Sequence, residues 1–176
     1  MWMKSKQIQI FKKIIMKQLL ILLSICCLVS CKTQKNEISK HTDCPENGTC
    51  SFEKYENQSL IVQKDDIGGL YYQMEETQEK NVFIFRYNRN KNENLIDGHY
   101  TEEILFEVDN SAFEKSFTNL KPEKSLFGVF CYCKGKAGYY LPENISISFD
   151  QKTEVITITI EELVENQVLR TFMFAK

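Results

Sequence analysis

From Cys44 onward the apolar residues of this chain recur at every second position, and that period leaves few folds open. NVFIFRYNR (81–89) alternates Phe83, Phe85 and Tyr87 against Val82, Ile84 and Arg86. EEILFEVD (102–109) places Ile104, Phe106 and Val108 on one face and Glu103, Leu105 and Glu107 on the other. ISISFD sends Ile145, Ile147 and Phe149 one way and serines the other; TEVITITIEEL does the same with Ile156, Ile158 and Ile160 against Val155, Thr157 and Thr159. VLRTFMF closes the series with Val168, Phe172 and Phe174. β-Branched and aromatic residues at period two are the signature of strands. A polar face on each strand predicts antiparallel pairing with solvent on that side. The expected fold is all-β, an antiparallel β-sandwich, Ig-like or barrel-like.

Turn residues punctuate the strands. Glu56-Asn57-Gln58 separates short strands near 51–55 and 59–63, Asp150-Gln151-Lys152 joins two later strands, and Glu165-Asn166-Gln167 joins the final pair. Ser111-Ala112-Phe113-Glu114 has the form of a capping box, and Phe113 with Phe117 makes an i, i+4 pair. One short helix is therefore expected near 111–118. DDIGGLYYQMEE (65–76), with its paired glycines, reads as a connection between sheets.

The amino terminus has a different character. Leu19 to Val29 is apolar except for Ser24, follows Lys12, Lys13 and Lys17, and gives way to polar residues. A bilayer span needs roughly 20 apolar residues; a basic start, a short apolar run and a small residue at its end make a secretory signal instead. Leu28-Val29-Ser30-Cys31 resembles the lipobox of bacterial lipoproteins. The resemblance implies cleavage before Cys31 and acylation of that cysteine, with Cys26 and Cys27 leaving in the cleaved peptide. MKQLLILLSICCLVSC is already a complete signal, so translation is expected to begin at Met16, a long basic leader being the alternative. The expected organisation is a signal peptide over 1–30, a lipidated cysteine and polar tether over 31–43, and one β-sandwich domain over 44–176. The tether, KTQKNEISKHTD after Cys31, has one apolar residue and no aromatic, a composition that does not order by itself.

Loss of residues 1–30 removes five lysines and no acid, taking the formal charge from −2 to −7. Nucleic-acid binding rests on cations that neutralise phosphates, so no nucleic-acid partner is expected. The expected partners are the membrane, through the lipid, and an envelope protein or wall component of unknown identity. The expected location is the bacterial cell envelope, lipid-anchored at the outer membrane and facing the periplasm.

Four cysteines remain after Cys31: Cys44 and Cys50 in CPENGTC, Cys131 and Cys133 in FCYCKG. An even number in an exported chain reads as disulfides. Two bridges from the CPENGTC loop to the CYC strand are favoured, because Cys131 and Cys133 share a face of an extended strand. A Cys44–Cys50 bridge around the Pro-Glu-Asn-Gly turn is the rival, and it leaves CYC as a reactive or strained pair. Spacings of five and one between the cysteines are not those of a zinc site, and C-x-C is not a C-x-x-C redox motif.

Other chemistry is sparse. His41 lies in the tether, and His99 follows Asp97-Gly98 at a strand start. No G-x-S-x-G, H-E-x-x-H or phosphate loop occurs. NRNKNENLIDG places asparagines at 88, 90, 92 and 94, yet lacks the glycine at position six of a calcium loop, and its acidic ligands are scarce. Glu102-Glu103 and Glu161-Glu162 are expected to be solvated edges on opposite strand faces. Tyr132, Lys134, Lys136, Tyr139 and Tyr140, beside two glycines, form the candidate recognition surface. No catalytic residue, no metal and no cofactor beyond the lipid on Cys31 are expected. The functional expectation is a membrane-anchored, non-catalytic binding or scaffolding domain. Its rivals are an inhibitor of a cell-wall-degrading enzyme, with a loop near 132–140 entering the cleft, and a thiol-redox or hydrolytic enzyme.

Overall fold

In the computed structural model, the described residues are 35–37, 44–90 and 98–175; for 35–37 this means the backbone. Cys31, the signal, His41, Asn92 and Asn94 lie outside them. Among the described residues, twelve strands and a lone 3-10 turn make up the regular structure.

The large sheet takes β1 (Lys35–Glu37), β2 (Gly48–Tyr55), β5 (Lys80–Arg89), β6 (Tyr100–Asp109), β8 (Ser125–Cys131) and β9 (Gly138–Tyr140), in the order β1-β2-β5-β6-β8-β9. The second sheet runs β12-β11-β10-β7 and uses Phe117–Leu120 (β7), Ile145–Asp150 (β10), Val155–Ile160 (β11) and Thr171–Ala175 (β12). β3 (Gln58–Lys64) and β4 (Leu70–Glu76) pair only with each other. All pairings are antiparallel. The sheets stack as an open sandwich and do not close into a barrel.

The period-two pattern fills the space between the two sheets. Phe52, Phe83, Phe85, Ile104, Phe106 and Phe127 point from the large sheet toward Ile147, Phe149, Ile156, Ile158, Phe172 and Phe174. Phe85 stacks on Phe172 with ring centroids 4.1 Å apart, and Phe83 on Phe106 at 5.3 Å. Each such ring removed from water contributes roughly 1.5–3 kcal/mol.

Five expectations need correction. β5 and β6 are buried on both faces, because the β3–β4 hairpin folds over the side expected to meet solvent. There Leu60 joins Val82, Ile84, Leu105 and Leu126 in a second apolar cluster. Residues 65–76 are accordingly the tip and second strand of that hairpin, not a connection between sheets. Asp65 shapes the tip by accepting the amides of Ile67 (3.0 Å) and Gly69 (2.6 Å), while Gly68 takes φ +91°.

The helix near 111–118 is reduced to a 3-10 turn at Ala112–Glu114, and the Ser111 side chain makes no cap. Lys115 is already extended, and Phe117 pairs with Phe149 in the second sheet. Strand pairing outcompetes the local helical signal, yet Phe113 and Phe117 still meet, at 5.5 Å.

Part of the expected tether is ordered: Lys35–Glu37 adds to the edge of β2.

Finally, the cysteines pair locally. Cys44 bonds to Cys50 with Cα atoms 5.7 Å apart, and Cys131 sits against Cys133 with Cα atoms 5.2 Å apart. Cys50 faces Tyr87, Tyr87 faces Glu102, and Glu102 faces Val129, so β2 and β8 are three strand spacings apart. That is about 14 Å, beyond the roughly 7 Å that a disulfide spans.

Candidate functional site

The ionisable groups collect where the hairpin meets the large sheet. One cross-strand row runs Ser51, Arg86, Glu103, Gly128, Tyr139. Glu53 and Tyr55 stand beside it on the same face of β2. Glu103 accepts Arg86 through Nε at 2.9 Å and Nη2 at 2.7 Å, and its other oxygen accepts the Tyr139 hydroxyl at 2.5 Å. Glu53 accepts Arg86 Nη1 at 3.4 Å and the Tyr55 hydroxyl at 2.8 Å. Tyr72 of β4 covers the group, its ring edge-on to Tyr139 at 5.6 Å.

Gly128 makes this row possible. A Cβ there would stand 2.7 Å from the Tyr139 ring. Without one, the ring lies over β8 and reaches Glu103 on β6.

The electrostatics follow from burial. Glu53 and Glu103 are buried, and Arg86 keeps 30% of its side chain exposed. Burial alone works against the charged guanidinium, but the hydrogen bond and charge of Glu103, with Glu53 behind it, raise the Arg86 pKa. Burial, then the bond to Glu53, pushes Tyr55 up to about 12. Burial and Glu103 raise Tyr139 further, and burial with the Glu103 charge raises Tyr72. The cluster holds two carboxylates against one guanidinium, with neutral hydroxyls filling the remaining acceptor positions.

Two more buried carboxylates lock elements together. Glu107 accepts the Leu60 amide at 2.6 Å, the Ser59 hydroxyl at 2.7 Å and Lys124 Nζ at 3.3 Å. Burial opposes its charge, but the bonds from Ser59, Leu60 and Lys124 hold its pKa below the usual carboxylate value. On the opposite face, Glu102 accepts the amides of Val168 (2.8 Å) and Leu169 (2.7 Å) and the Tyr100 hydroxyl. Burial and that bond raise the Tyr100 pKa. Glu102 and Glu103 thus do face opposite ways, but neither is a solvated edge. The final connection is also longer than a hairpin turn. Residues 161–170 fold around Gln167, which accepts the Leu163 amide and donates to the carbonyls of Glu161 and Leu169.

The candidate recognition residues do not share a surface. Tyr139 turns to the hairpin side. Tyr140 turns to the sandwich core and donates to the Lys136 carbonyl at 2.8 Å. Tyr132 projects with 88% exposure, Lys134 is exposed, and Lys136 pairs with Glu165 at 2.8 Å. His99 is exposed at the start of β6, as expected. Among the described residues no group of three or more His, Cys, Asp or Glu side chains converges as a metal site.

A groove of about 410 Å³ opens beside the hairpin. Leu60, Val62, Leu141, Pro142 and Ile145 supply its apolar lining; Lys121, Glu123, Lys124 and Glu143 line it with charge. That volume falls within the roughly 300–1,000 Å³ of small-ligand sites. No sequence signal marked it, because its walls come from three separate segments.

Comparison with protein-family models, with curated proteins and with solved structures finds no match.

Proposed function

We propose that this chain is a bacterial envelope lipoprotein whose β-sandwich binds or scaffolds a partner without catalysing a reaction. The observation that carries the reading is Leu28-Val29-Ser30-Cys31 at the end of the apolar run Leu19–Val29. Acylation of Cys31 moors the protein to the outer membrane on its periplasmic side, since two or more acyl chains hold a protein where one binds only marginally. A binding role is supported by how the described buried carboxylates are used. Glu102, Glu103 and Glu107 are engaged by backbone amides, an arginine, a lysine and hydroxyls of the fold itself. The groove beside the hairpin offers an apolar floor to a wall component or an envelope protein. The test is labelled palmitate fed to cells making the full chain: label enters the native protein and disappears in Cys31→Ser. A native protein without label sinks the anchoring.

A second reading, inhibition of a cell-wall-degrading enzyme, is favoured by Tyr132, which projects from a loop braced by the Lys136–Glu165 pair. In that reading the loop between β8 and β9, around Tyr132 and Lys134, enters the enzyme's cleft. Wall-hydrolase activity that is unchanged by excess chain counts against it.

A further inference from the structure

β1 changes what a lipid on Cys31 does to the domain. Lys35 lies opposite Tyr55 and Glu37 opposite Glu53, so the chain joins the large sheet at the Tyr55 end of β2. Four peptide steps separate Cys31 from Lys35, a reach of at most about 14 Å. The eight residues of β2 carry the sheet about 24 Å further, to Gly48. The lipidated residue therefore reaches one end of the sheet and not the other.

We propose that the domain stands on the bilayer by the end carrying the Glu56–Asn57 turn and directs the Cys131–Gly138 loop away from lipid. The inference rests on the lipidation proposed above. The occupant of the near end is the bilayer surface, assigned by the covalent length between Cys31 and β1.

The near end is built as one rim. The Asn57 carbonyl accepts the Thr77 amide at 2.9 Å, and Asn110 donates to the carbonyls of Glu79 (2.9 Å) and Gln78 (2.7 Å). Its lysines are paired: Lys80 meets Asp109 at 2.8 Å and Glu123 at 3.0 Å, and Lys54 meets Glu56 at 2.7 Å, so neither draws the rim to lipid headgroups as a free cation. This rim takes its place by tethering, so the orientation holds on neutral lipid. The far end carries Asn47, whose carbonyl accepts the Asn90 amide at 2.7 Å, and the exposed Tyr132 and Lys134.

The experiment uses the full chain made in a bacterial host with labelled palmitate, then placed in phosphatidylcholine vesicles containing a headgroup-linked acceptor dye. A donor dye is coupled to an azide-bearing residue placed at Gln78 or at Lys134, both exposed. Energy transfer from 78 exceeds that from 134 by about twofold or more, given the strand-length separation of the two ends. Inserting about ten Gly/Ser residues between Thr33 and Gln34 makes a flexible coil and removes the difference while palmitate stays on. Equal transfer from the two sites at native length, or stronger transfer from 134, overturns the orientation. If palmitate is present, only the orientation falls; if palmitate is absent, the anchoring falls with it.

Discussion

The two faces of the large sheet hold their covers in different ways. The face toward the second sheet is mainly aromatic and aliphatic, with the buried Glu102 at one end: Phe52, Phe83, Phe85 and Phe127 meet Phe172, Phe174 and the isoleucines of β10 and β11. The face toward the hairpin has a smaller apolar cluster around Leu60, flanked by Arg86, Glu53, Glu103 and Glu107. The first contact is nondirectional and scales with the area removed from water. The second depends on hydrogen bonds whose loss leaves buried charges unpaired. The centre of the sandwich core, around Phe85, is therefore expected to respond to volume and little to pH, and the Arg86–Glu103 contact under the hairpin to depend more on its hydrogen bonds.

Three substitutions sharpen this contrast, in order of expected effect. Phe85→Ala removes a fully buried ring at the sandwich centre and lowers stability by about 3–5 kcal/mol. Denaturant unfolding at pH 5 and pH 8 should give the same loss; a strongly pH-dependent loss breaks the comparison. Arg86→Ala leaves Glu53 and Glu103 facing each other. Because the guanidinium is partly exposed, the loss is about 2 kcal/mol at neutral pH. Denaturant unfolding of the native chain and the variant would read that loss. Tyr139→Phe removes a donor to Glu103 at about 1–2 kcal/mol. It also changes the alkaline limb. The folded protein holds the Tyr139 and Tyr55 protons above the ordinary tyrosine value, whereas the unfolded chain releases them near pH 10. Stability therefore falls as pH climbs from 10 toward 12, and the variant should fall less steeply than the native chain.

How much of this could be read beforehand depends on where each partner comes from. β10 and β11 were legible residue by residue, because their isoleucines face the core and their serines and threonines do not. β5 and β6 carried a sign that the period alone obscured: Val82 precedes Phe83, Ile84 sits between Phe83 and Phe85, and Leu105 between Ile104 and Phe106. Apolar residues on both faces mean cover on both faces. The buried carboxylates gave no such sign. Glu102 is satisfied by amides 66 and 67 residues away, and Glu107 by groups 47 and 48 residues away. A glutamate bound this way looks, in sequence, like any solvated one. The recognition residues were grouped by proximity along the chain, and β9 then separates Tyr139 from Tyr140 by its pleat. The favoured cysteine pairing gave way to its rival, Cys44–Cys50, because Cys131 ends β8: beyond it the chain bends, so the extended-strand argument no longer holds.

The β3–β4 hairpin leaves the large sheet after Tyr55 and returns at Lys80, between two strands that are themselves neighbours. Asn57 and Thr77 are clasped together where it departs and comes back, and Ile67 at its tip is 94% exposed. An excursion closed at its base can change length at its crown without altering any other pairing, because lengthening a flexible loop costs little entropy. The crown around Ile67 is accordingly the place to graft an epitope or a tag, on a stalk whose footing the rest of the molecule already supplies.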